Sequence, residues 1–88
     1  MNAVEGLAER FDWKVANEYI DKAEREGRSE GDGLWDYLET LGMRRPEATD
    51  ALLKKILEED RKSDERIHYY LNQIGKIARD AQQRYAGV

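Results

Sequence analysis

Cysteine is absent from the 88 residues. No disulfide framework, thiolate zinc site, cysteine nucleophile or iron–sulfur cluster can form, and stability has to come from packing. Proline occurs once, at Pro46, and β-branched residues do not cluster, so the usual marks of a turn-rich β fold are missing. No apolar run approaches the roughly 20 residues that a transmembrane helix needs, and no membrane span is expected. The stretch Met1 to Arg10 carries Glu5 and Glu9 instead of the basic-then-apolar pattern of a secretory signal, which makes a cytoplasmic address the expectation. Core-forming residues are also few: eight Leu, five Ile, three Val and one Phe. Two Trp and five Tyr add buriable area, and a net charge of only −4 keeps the chain from repelling itself apart. The balance is a folded but lightly cored single domain over residues 1–88, since a chain this short cannot divide its apolar residues between two cores.

What is present is helical periodicity. Val4, Leu7, Ala8, Phe11, Val15 and Tyr19 recur at three- and four-residue spacing beside a second stripe of Trp13, Ala16, Ile20 and Ala23, which predicts a first helix from about Asn2 to Glu26. Gly27 to Gly33 holds three glycines and reads as a loop that stops it. Asp32 is then the expected cap of a short second helix through Leu41, with Gly42 as its stop. Pro46 suits the first turn of a new helix. From Leu53 to Ala81 helical spacing continues, either as one continuous helix, the preferred reading, or as two helices broken at Ser63, where Arg61 and Lys62 suit a C-terminus and Asp64 and Glu65 an N-terminus. The expected fold is all-α: a small bundle of three to four helices with a long C-terminal helix or helix pair. Asp60 and Asp64 fall on the apolar stripe, as a cap, as ion-pair partners, or where the stripe meets solvent.

Charge is uneven along the chain. Residues 1–42 carry five basic and eleven acidic groups, whereas residues 43–88 carry ten basic and eight acidic. The halves should attract, mainly to set orientation.

Chemistry-bearing constellations are sparse. His68, the one histidine, follows Glu65 by three residues, a spacing that puts both side chains on one helix face where they could share a metal. On this Glu-x-x-His element the stretch Leu53 to Leu71 is similar to the second helix of ferritin-like carboxylate di-iron proteins. The resemblance implies a metal-binding or ferroxidase half-site completed by dimerisation, with Glu65 and His68 as ligands and Glu18, Glu58 or Asp64 in support. Ser29 and Ser63 are the only serines, and neither sits in a nucleophile context. The Gly27 to Gly33 stretch lacks the Gly-Lys-Ser/Thr ending of a phosphate cradle and places Glu30 and Asp32 where they would repel one. It also fails as a calcium loop, because Arg28 and Tyr37 would fall at ligand positions. Tyr69, Tyr70, Lys76, Arg79, Gln82, Gln83, Arg84 and Tyr85 mix basic, amide and aromatic groups, which makes a nucleic-acid-binding regulator dependent on Arg79 and Arg84 the second alternative, yet the acidic chain gives electrostatics little to add, and a nucleic-acid partner is not expected.

No enzyme and no cofactor is therefore expected. The functional expectation is a small protein–protein interaction module acting stoichiometrically as adaptor, subunit or inhibitor through an exposed helical face. The long C-terminal stripe outruns what the first helix can shield, which predicts a homodimer that buries Ile67, Leu71, Ile74 and Ile77.

Overall fold

The computed structural model describes residues 6–59 and the helix 64–86, apart from the side chains of Asp64, Glu65, Tyr85 and Ala86. Among the described residues the chain is all-α: α1 (Leu7–Arg10), α2 (Trp13–Arg25), α3 (Glu30–Thr40), a 3-10 turn (Glu47–Thr49), α4 (Asp50–Glu58) and α5 (Asp64–Ala86), with no strand. None of these helices is long and apolar enough to cross a membrane.

The expected first helix is broken. Phe11 is extended, and Asp12 caps a new helix by accepting the Lys14 amide at 2.9 Å. Apolar spacing runs through this joint undisturbed, and the support for the break comes from elsewhere in the chain. The Tyr37 hydroxyl accepts the Asp12 N–H at 3.0 Å and donates toward the Arg10 carbonyl at 3.4 Å. Two main-chain groups freed by the break thus find one partner on α3. Phe11 packs edge-on to Trp13 and also lies against the Tyr37 ring. The expected start at Asn2 lies outside the described residues.

The expected loop from Gly27 to Gly33 is mostly helix. Gly27 alone takes a positive φ (76°), closing α2 with paired bonds from its own amide to the Glu24 carbonyl and from the Arg28 amide to the Ala23 carbonyl. Ser29, not Asp32, caps α3: its hydroxyl accepts the Asp32 amide at 3.1 Å. Gly31 and Gly33 lie inside α3. Gly33 is there for proximity, because a Cβ at this position would stand 2.7 Å from both the Ile20 Cα and the Tyr19 carbonyl oxygen, and 3.0 Å from the Ala23 Cβ. With Ala16 and Ala23 on the facing side of α2, the two backbones approach more closely than larger residues would permit. Gly42 ends α3 as expected, in the same manner as Gly27 ends α2.

After Met43, Pro46 precedes the 3-10 turn, and the Thr49 hydroxyl donates to the Pro46 carbonyl at 2.8 Å. The preferred reading of a continuous helix from Leu53 to Ala81 is overturned: α4 stops at Glu58, Glu59 is extended, and α5 opens at Asp64. Asp60 and the expected breakpoint at Ser63 lie outside the described residues, as does the Asp64 side chain. The break lets α4 fold back on α5, so that Leu53 and Ile56 face Ile67, Leu71 and Ile74 within one core. In that core α3 lies between α2 and α4, and α5 carries α1, α4 and the 3-10 turn. Trp35, 1% exposed, is its largest fully buried side chain.

Candidate interaction surface

Where α5 runs past its last fully buried residue, Ala78, its cover thins, and an open groove lies between it and the Arg44–Ala48 segment. Pro46, Ile77, Ala78 and Ala81 supply an apolar floor. Arg44, Glu47, Asp80 and Arg84 are exposed around it.

Arg45 fixes the loop wall of this groove. Its Nη1 reaches Asp32 at 3.1 Å and its Nε reaches Asp50 at 3.3 Å, while the guanidinium lies 5.7 Å from the Trp35 ring centre. The indole Nε1–H of Trp35 donates to the same Asp50 oxygen at 3.1 Å. One arginine therefore ties the start of α3 and the start of α4 to the segment entering the 3-10 turn. The Arg45 guanidinium, with help from Ser29, also holds the Asp32 carboxyl below its ordinary value. Arg45, though exposed, is thus engaged by partners within the chain. Arg44, Glu47, Asp80 and Arg84, by contrast, form no ion pair with any described residue. Among the described residues, therefore, two charges of each sign around one apolar strip have no ion-pair partner.

The residues expected to form the dimer interface divide. Ile67, Leu71 and Ile74 are 2%, 1% and 0% exposed in the single chain, covered by its own helices, so the premise that a second copy has to shield them does not hold. Ile77 alone of the four is half-exposed, and it lies in the groove. Charge asymmetry between the halves of the sequence is used within the chain in part, since Arg45 meets Asp32.

The ferritin-like resemblance required one helix from Leu53 to Leu71, and the chain breaks between Glu58 and Asp64. His68 is exposed on α5, while the Glu65 side chain lies outside the described residues. Glu18 is on α2, which packs against α3 and not α5, so it is not brought to His68. Among the described residues no three His, Asp or Glu side chains gather as a metal site would require. The aromatic and basic residues of α5 do not share one face either. Tyr69, 60% exposed and edge-on to Tyr70 at 5.6 Å, lies in line with Lys76 and Gln83, whereas Arg79 and Gln82 are half-buried on another side. The Tyr85 side chain is outside the described residues.

Sequence reasoning missed Arg44, Pro46 and Glu47 as surface residues of interest. They become neighbours of Ile77 and Arg84 only because α4 turns back on α5, a turn that the sequence offered only as the alternative break at Ser63. Comparison with protein-family models, with curated proteins and with solved structures returned no match.

Proposed function

We propose that this chain is a non-catalytic protein–protein interaction module, working stoichiometrically as an adaptor, subunit or inhibitor, and that the groove between Arg44–Ala48 and the C-terminal half of α5 is its binding surface. One observation carries the reading: an apolar strip around half-exposed Ile77 is bordered by four charges that have no ion-pair partner among the described residues. Apolar surface supplies the affinity of such contacts, and charges that are complemented across them set orientation and partner choice. The Arg45 anchor holds one wall in place before binding, which lowers the ordering cost of association.

The test uses tagged wild-type chain and an Ile77→Asp variant as baits in the same host lysate, with captured proteins quantified by mass spectrometry and bait helicity checked by circular dichroism. Proteins retained in stoichiometric amount by wild type and lost with the equally helical variant are the expected result. An identical capture profile for both baits would sink the reading.

A further inference from the structure

We infer that the chain has a second assembly open to it: a dimer in which two copies exchange their α5 helices, with α4, the corner at Glu59 and α5 straightened into one helix. The inference does not rest on the binding reading above.

Three observations carry it. The first is that α5 is separable. Among the described elements it packs against α1, the 3-10 turn and α4, and against neither α2 nor α3. A second copy offers α5 those same partners, so exchange rebuilds the core contacts and requires no new complementary surface. The second is that the corner between α4 and α5 lacks a local stop. α2 and α3 each end at a glycine with positive φ, Gly27 and Gly42, whereas residues 59–63 contain neither glycine nor proline. The third is that the buried faces on either side of the corner are in phase. Ile56 and Ile67 stand eleven residues apart, about three turns at 3.6 residues each. Leu53, Ile56, Ile67, Leu71 and Ile74, all buried, would therefore lie along one side of a straight helix.

What holds the fold-back is tertiary. Glu59 is extended, and the Arg66 Nη1 reaches back to its carboxylate at 3.4 Å. In a straight helix the two residues would stand about 10 Å apart along the axis, so this pair belongs to the folded-back form alone. With the Arg66 side chain 70% exposed, the clasp is weak. The two forms differ little in their internal contacts, and concentration decides between them, because the dimer gives up the free motion of one molecule. In the dimer each groove is composite: Arg44, Pro46 and Glu47 come from one copy, and Ile77, Asp80 and Arg84 from the other.

The test unfolds the chain in urea, refolds it at low and at high concentration and measures mass by sedimentation, for wild type, Asp60→Leu and Asp60→Pro. Leucine at this stripe position of the sequence favours a continuous helix. Proline opposes one and suits the fold-back, since the residue before a proline adopts the extended backbone that Glu59 has. Wild type refolded at high concentration is expected to yield a helical species of twice its 10.3 kDa mass. Asp60→Leu should yield it at lower concentration, and Asp60→Pro should be monomeric throughout. Should the proline variant lose its helical signal, Asp60→Gly takes its place. Glycine disfavours a helix interior about fourfold relative to leucine, and the dimer has two such helices, so its dimer should be roughly 16-fold weaker than that of Asp60→Leu. Wild type that is monomeric at every refolding concentration overturns the inference, and so does a dimer that the proline or glycine variant forms as readily as Asp60→Leu. Neither outcome touches the binding reading, which stands or falls on the Ile77→Asp capture profile.

Discussion

Gly33 sets how near α2 and α3 can come. A side chain there would meet main-chain atoms of Tyr19 and Ile20, which no rotamer change can move aside. Two effects oppose each other in Gly33→Ala. Alanine gains roughly 1 kcal/mol over glycine inside a helix, whereas overpacking a close contact costs typically about 1–3 kcal/mol. Because the obstruction is backbone, the second effect wins. The variant is expected to lose about 1–2 kcal/mol, a fall in Tm of roughly 4–8 °C per kcal/mol for a domain of this size, read by thermal denaturation. A Tm that rises would mean that the two helices part at little cost. At this scale the sequence was half legible. Apolar spacing marked Ala16, Ile20 and Ala23 as one stripe, and all three are buried. That the stripe would meet a glycine was not readable, because glycine carries no side chain for a periodicity to register.

The N-terminus of α3 gathers its polar contacts within one turn. Ser29 caps it, and Asp32 faces Arg45 across the loop. The Arg45 guanidinium, and after it Ser29, lower the Asp32 pKa from 3.8, so the folded state binds that proton more weakly than the unfolded chain does. The stabilisation is therefore complete above the unfolded value and is lost as pH falls through the lower folded one. Urea midpoints measured from about pH 5 down to about pH 2 should fall more steeply for wild type than for Asp32→Asn, which has no proton to take up at this position. Parallel curves would show that the Asp32–Arg45 contact is not maintained in solution. The same element shows why the glycine-rich stretch misleads. Three glycines in close succession signal a loop by their entropy cost, yet Ser29 followed by Asp32 is also a helix-start pattern, and tertiary contact through Gly33 decided between them. The joint at Phe11 and Asp12 was hidden for a different reason: Tyr37, which satisfies it, is distant in sequence.

Over the whole molecule the core is thin, and a few residues hold much of it. A single core in a chain of this length rarely supplies more than about 3–5 kcal/mol, and truncating a fully buried isoleucine to alanine costs about 2–5 kcal/mol. Ile74 is 0% exposed, among Leu53, Ile56, Leu71 and its other core neighbours. Ile74→Ala is accordingly expected to leave little or no net stability at 25 °C, seen as a large loss of far-ultraviolet helical signal and a sharply lowered urea midpoint. An unchanged midpoint would place Ile74 outside the core. Helical class and the α5 stripe were legible from spacing alone. The fold-back of α4 was present only as the alternative at Ser63, since periodicity reports which face of a helix is buried and not whether the axis turns. That fold-back completes a circuit in which α1 rests on α5, the first described helix against the last. During synthesis, α2 and α3 can pair as soon as both have left the ribosome, because their contact is local in sequence. Leu7 and Ala8 have to wait in solvent until α5 arrives, and closing that loop, the longest between contacting described helices, is the step with the greatest entropic cost.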